Sequence, residues 1–112
     1  MRVEESEKVL MRIFVGEADS VGGKPLYHEI VKRLRKEKAA GATVTRGICG
    51  FGAKSHMHTA RVLDLSHDLP IIIEVVDSKE NIDRIAPLID DMVGDGLITM
   101  EKVQAIRYAP KE

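Results

Sequence analysis

Three glycines, Gly47, Gly50 and Gly52, precede Lys54, His56 and His58 in the stretch GATVTRGICGFGAKSHMHT, residues 41–59. Glycine lets backbone amides close on a ligand, and successive amides make an anion-binding concavity. The cationic side chains beyond them bring charge to the same place. The chemistry these types and this spacing suit is phosphate or nucleotide binding by a loop. A plain turn or bulge is the bland use of the same glycines. His56 and His58 share one side of an extended chain, and with His28, His67 and Cys49 they raise a metal reading. No carboxylate or cysteine has ligand spacing with them, so no metal is expected. Cys49 reads as a small hydrophobe rather than a nucleophile. The loop lacks a paired acid and base at catalytic positions, so no enzyme is expected. Glu17 and Asp19 border the site or are simply solvated loop acids.

Elements on either side must hold this loop. Ala42–Thr45 are small or β-branched and make a second strand, which the glycines interrupt. Before it, Val9, Met11, Ile13 and Val15 alternate in a first strand over Lys8–Val15, with Leu10 and Phe14 on its other face; residues 1–6 are read as frayed. Gly16–Gly23 reads as loop. Leu26, Ile30 and Leu34 recur every four residues, so a helix is expected over Leu26–Lys38, with Pro25 at its start and Gly41 closing it. Lys32, Arg33, Arg35, Lys36 and Lys38 make its other face basic and solvated.

Beyond the glycines, Ala60–Leu65 has extended character and is expected to pair back on residues 45–52 as a hairpin arm. Ile71–Val76 is nearly all apolar, which suits a central strand buried on both faces. Glu74 interrupts it and is expected to meet Arg46 or Arg61 across the sheet, or the ligand. Asp77 is the expected N-cap of a second helix, with Glu80 completing a capping box. Ile82, Ile85, Leu88, Ile89 and Met92 form its apolar face, and Pro87 should kink or split it. After Gly94-Asp95-Gly96, a last strand runs over Leu97–Arg107, with a possible break near Glu101.

The order βαββαβ predicts an α+β ferredoxin-like sandwich: an antiparallel four-stranded sheet, two helices on one face, and an extended loop or hairpin between strands two and three. The bare sheet face would carry Leu10 and Phe14, so a homo-oligomer with sheets packed face to face is expected. The 112 residues suit one domain, and 44% hydrophobic content suffices for a core. A net charge of −1 argues against a sequence-independent nucleic-acid binder. No apolar run reaches membrane-spanning length, no signal peptide is visible, and a single cysteine fits a cytoplasmic protein.

Taken together, GATVTRGICGFG (41–52), DLPIIIEVVD (68–77) and GDGLI (94–98) resemble the nitrogen-regulatory PII signalling proteins. The resemblance is closer to the PII-like family called domain of unknown function 190. Its GKPLY, GATV-x-RG-x-x-GFG, HT and LS-x-DLP segments stand in order here as Gly23–Tyr27, Gly41–Gly52, His58–Thr59 and Leu65–Pro70. The resemblance implies a homotrimer with an adenine-nucleotide cleft between neighbouring subunits. It implies that Thr43 meets adenine through its backbone. Gly50, Phe51 and Gly52 would form the loop base near the phosphates. Gly94, Asp95 and Gly96 would offer amides to phosphate, and Arg107 a strand arginine. It further implies a regulatory protein whose loop, at about 50–68, engages an unidentified partner protein.

The departures from the PII pattern lie at the phosphates. The lysine usual after G-D-G is Leu97, and the lysine expected after L-P is absent, since Ile71 follows Pro70. One extra residue lies between Gly41 and Gly50. Neither tyrosine, Tyr27 or Tyr108, falls on the loop. Each missing cation removes about 1.5–3 kcal/mol of charge-assisted contact unless replaced. Arg46, Lys54, His56 and His58 are the candidate replacements, although Arg46 is equally suited to a structural pair. AMP or ADP is therefore expected to bind at least as well as ATP. The rival readings are a small nucleotide hydrolase, or a metal-binding trimer that uses the loop histidines.

Overall fold

The computed structural model of the chain describes residues 2–52, 58–59 and 69–110. In order the elements are β1 (Arg2–Gly16), β2 (Ser20–Val21), β3 (Lys24–Pro25), α1 (Leu26–Lys36), β4 (Thr43–Arg46), β5 (Cys49–Gly50), β6 (His58–Thr59), β7 (Pro70–Asp77), α2 (Lys79–Asp90) and β8 (Leu97–Ala109). The main sheet has the order β4-β7-β1-β8, and its pairings are antiparallel. This is the expected ferredoxin-like arrangement.

The core lies between the sheet and the two helices. Met11, Ile13 and Val15 of β1 and Ile71, Ile73 and Val75 of β7 meet Leu26, Ile30 and Leu34 of α1 and Ile82, Ile85, Ala86 and Ile89 of α2. The apolar stripes expected for β1 and α1 are the buried ones. Leu88 is only half-buried, and Ala86 takes an inward position instead. The opposite sheet face carries Leu10, Arg12 and Phe14 beside Ile72, Glu74 and Val76, because residues in register share a face. Leu10 is buried even in a single chain, while Phe14 is half-buried and Val76 and Leu97 are exposed.

Several boundaries differ from expectation. The first residues are not frayed: Arg2–Lys8 pair with β8 alone, and register runs from Arg2↔Ala109 to Phe14↔Leu97. Ladder pairing satisfies backbone groups whatever the side chains, so a polar run can still be strand. The same register carries β8 through Glu101 without a break. The first loop contains a hairpin, Ser20–Val21 against Lys24–Pro25, turned by Gly22 and Gly23 at φ 57° and 77°.

Helix α1 ends at Lys36, and the left-handed residue that stops it is Lys38, at φ 63°, rather than Gly41. The Lys38 N–H donates to the Arg35 carbonyl (3.1 Å) and the Ala39 N–H to the Leu34 carbonyl (3.0 Å). This double closure offsets the strain of a non-glycine residue there.

The N-cap of α2 is Ser78, whose Oγ accepts from the Asn81 N–H at 3.1 Å, so Glu80 completes no capping box. Asp77 serves both helices instead. Its Oδ2 accepts from the Ala40 N–H (2.9 Å) and the Asn81 amide (2.6 Å), and its Oδ1 from the Ser78 N–H (2.7 Å). Burial pushes the Asp77 carboxyl up. The Asn81, Ala40 and Ser78 hydrogen bonds, with the charge of Lys8, outweigh burial and hold it below its ordinary value. Pro87 lies inside α2 without splitting it, and the helix ends at Asp90.

Candidate functional site

The glycine-rich stretch leaves the sheet at the end of β4. Arg46 is in register with Ile71, and the next N–H, that of Gly47, donates to the Pro70 carbonyl at 2.7 Å. Gly47 and Gly50 both stand on Pro70: a Cβ at either would lie 2.7 and 3.1 Å from its Cγ. Only glycine admits this approach at Gly47. A separate two-residue ladder follows, Cys49↔Thr59 and Gly50↔His58, outside the main sheet. An arm returning on the glycine segment is therefore present, but it is built by His58–Thr59; the expected partner, Ala60–Leu65, lies outside the described residues. Ile48 and Phe51 are 78% and 74% exposed.

Gly94–Gly96 joins α2 to β8 at the same end of the sheet. Gly96 leaves no room for a side chain: a Cβ there would lie 2.7 Å from the Phe14 carbonyl oxygen and 2.8 Å from Val93 Cγ1. Gly94 has open space around it, and Asp95 is exposed. The two glycine segments stand at opposite edges. From β4 through β7 and β1 to β8 there are three interstrand steps of about 4.8 Å, roughly 14 Å.

Thr43 is in register with Glu74 on β4, an edge strand, so alternate backbone groups of Thr43–Arg46 point away from the sheet. Arg107 does not join either segment. It lies ten residues along β8 from Leu97, roughly 33 Å of strand at about 3.3 Å per residue, opposite Glu4. Thus one chain brings the loop base and Gly94–Gly96 to one end of the sheet and leaves Arg107 at the other. Lys54, His56 and His67 lie outside the described residues. Of His58, the structure describes the backbone pairing with Gly50.

The charges around this end pair differently from the sequence reading. Arg46 Nε lies 3.1 Å from Oε2 of Glu17, so Arg46 does not meet Glu74. Glu74 is held by Arg12, whose Nε donates to its Oε2 at 2.9 Å while Nη1 donates to Glu101 Oε1 at 2.9 Å. The Glu74 hydrogen bond raises the Arg12 guanidinium above its ordinary value, against a smaller effect of desolvation. Glu17 is one of the two loop acids the sequence places at the border of the site, whereas Arg12 does not stand out in the sequence. The useful signal for Arg12 is a cation at a position alternating with Leu10 and Phe14, in a strand that must pair with Glu74. Among the described residues, no three of His, Cys, Asp and Glu gather as metal ligands. No helix there is long and apolar enough to cross a membrane.

The sequence profile of DUF190, domain of unknown function 190, described as "Uncharacterized ACR", matches residues 8–105. A UPF0166 protein of Aquifex aeolicus (strain VF5) is 35% identical over 102 residues, covering 89% of this chain and 94% of its own length. A UPF0166 protein of Methanocaldococcus jannaschii is 39% identical over 90 residues, covering 80% of this chain and 82% of its own. Among solved structures, the apo form of CPII, a nitrogen regulatory PII-like protein of Thiomonas intermedia K12, superposes with a TM-score of 0.65 at 12% identity, covering 96% of this chain and all of that one. The same protein bound to ADP and bicarbonate gives 0.62 at 15% identity, covering 91% of each chain. A PII-like protein of Thermus thermophilus gives 0.65 at 17% identity, covering 91% of this chain and 92% of its own. At these identities the likeness to the solved structures is one of fold, and it agrees with the family match. The chain belongs to the domain of unknown function 190 family and shares the fold of PII-like proteins.

Proposed function

We propose that this chain is a regulatory protein, not an enzyme, that binds adenine nucleotide between neighbouring subunits of a homotrimer. The observation that carries the reading is the separation of the three phosphate-binding elements. Gly50–Gly52 and Gly94–Gly96 stand on opposite edges of one sheet end, roughly 14 Å apart. Arg107 is at the far end of β8. A second copy that brings the Gly94–Gly96 end of its β8 beside β4 would unite the two glycine segments, and Arg107 would reach that cleft only from another copy. The exposed Val76 and Leu97 on the open sheet face, with half-buried Phe14, favour such an assembly. The PII-like CPII has been solved with ADP, AMP and bicarbonate, which supports an adenine ligand for the shared fold. Thr43, Arg46, Gly50–Gly52, Lys54, His58, Gly94–Gly96 and Arg107 are the proposed ligand contacts. Residues at about 50–68 are the proposed contact to a regulated protein, and cytoplasmic residence follows from the same reading.

Calorimetric titration with AMP, ADP and ATP tests the proposal. Micromolar binding near one site per chain is expected, with AMP or ADP at least as tight as ATP. Gly50→Ala and Gly94→Ala should each abolish it. Mixed assemblies of the two variants should recover part of the sites, because some clefts then receive both intact halves. Absence of binding by every nucleotide would overturn the reading, and binding without recovery on mixing would move the site within one chain.

A further inference from the structure

We infer that the Glu17 carboxylate is an internal anion that occupies Arg46 and competes with the phosphates of a bound nucleotide. The inference rests on the nucleotide reading above and says how that site is tuned. Arg46 Nε and Glu17 Oε2 are 3.1 Å apart, and the Arg46 side chain is 55% exposed, open to an incoming anion. The other Glu17 oxygen, Oε1, is shut off from water, and no donor among the described residues reaches it. A carboxylate oxygen taken from water without a donor is costly, so Glu17 is the incompletely satisfied partner of the pair.

Backbone geometry ties the pair to both legs of the loop. The Glu17 N–H donates to the Leu69 carbonyl at 2.8 Å, and the Gly47 N–H to the Pro70 carbonyl at 2.7 Å. Gly16 is in register with Pro70. Gly50, in the proposed phosphate site, stands on that same Pro70. The entering leg, the exiting leg and Glu17 therefore meet beside Arg46. A phosphate that draws Arg46 from Glu17 acts on both legs together. Guanidinium groups pair with carboxylate and phosphate through the same fork, so the two anions are true competitors. Glu17 also adds a negative charge near the phosphates, which disfavours the more highly charged nucleotides.

Glu17→Gln keeps the shape and removes the charge. It should tighten ATP binding about fivefold, tighten AMP less, and leave adenosine unchanged; about fivefold is the scale of one partly exposed ion pair. In an Arg46→Gln background, the same change should tighten ATP clearly less, because only the direct repulsion between Glu17 and the phosphates is then relieved. Equal effects on ATP, AMP and adenosine, or none, overturn the inference and leave the nucleotide site standing. Should Glu17→Gln fail to fold, Arg46→Gln decides alone. Its ATP-to-adenosine affinity ratio should fall, and an unchanged ratio overturns the inference. Binding of no nucleotide by wild type or any variant removes the nucleotide reading and the inference with it.

Discussion

Nε of Arg12 lies 2.9 Å from Oε2 of Glu74, across the β1–β7 ladder, and the same guanidinium reaches Glu101 on β8. One cation therefore spans three strands, on the sheet face that carries Leu10, Phe14, Ile72 and Val76. If a second copy covers that face, the triad leaves water. Removing one member of a desolvated charge group is then far worse than replacing all of it by apolar residues. Arg12→Met should raise the concentration at which the assembly dissociates by about tenfold or more. Replacing Arg12, Glu74 and Glu101 together by Met should restore much of the loss. Light scattering over a dilution series distinguishes these cases, and an unchanged assembly in Arg12→Met would argue against a covered face.

Asp77 joins the end of α1 to the start of α2 through three donors. Its carboxyl is held below its ordinary value, so the ionised form is the one the fold stabilises. That contribution is complete above the unfolded pKa of about 3.9 and is lost as pH falls through the lower folded value. Asp77→Asn turns an amide nitrogen toward one of the donors and should cost about 1–3 kcal/mol. Urea unfolding from pH 2 to 7 should show a smaller acid loss in the variant than in the wild type. Equal acid slopes would mean the carboxylate is not what titrates.

Gly96 and Gly94 flank the same aspartate but bear different loads. A Cβ at Gly96 meets the Phe14 carbonyl oxygen and Val93, whereas one at Gly94 meets nothing within 4 Å. Gly96→Ala should destabilise the fold by about 1–3 kcal/mol, as overpacking does. Gly94→Ala should leave the unfolding midpoint nearly unchanged. Denaturation of the two variants side by side is the check, and it makes Gly94 the cleaner probe of ligand binding.

Lys38 holds a left-handed conformation that glycine adopts without steric cost. Lys38→Gly should therefore stabilise the chain, by about 0.5–1 kcal/mol, by relieving strain that the α1 closure now offsets. A lower melting temperature would show that the lysine side chain contributes more than its backbone strain removes.

The alternation Met11, Ile13, Val15 and the four-residue recurrence of Leu26, Ile30 and Leu34 were sufficient to read those elements and their inward faces. The apolar run Ile71–Val76 marked a central strand, but it is buried on one face only, with Ile72 half-buried and Val76 exposed on the other. Periodicity is local, and a buried stripe needs no knowledge of its partner. The order of elements then led to the sheet topology. The motifs at Gly41–Gly52, Leu65–Pro70 and Gly94–Gly96 led to the family, because backbone approach requires glycine at fixed places in the chain.

The partners across the fold were not legible. Whether Glu74 meets Arg12 or Arg46, and whether Arg46 meets Glu17, depends on strand register and on residues distant in the chain. The stop of α1 at Lys38 rests on the local closure by the Lys38 and Ala39 N–H groups, and Asp77 is taken up by the tertiary bond from the Ala40 N–H, so that Ser78 caps α2 in its place. The pairing of Arg2–Lys8 was hidden for a related reason: ladder bonds are made by backbone, so a charged sequence carries no mark of them. Sequence alone determined the two helices, the main strands, the core stripes and the family. Tertiary structure alone decided which charges meet, and set the loop base and Gly94–Gly96 on opposite edges of one sheet.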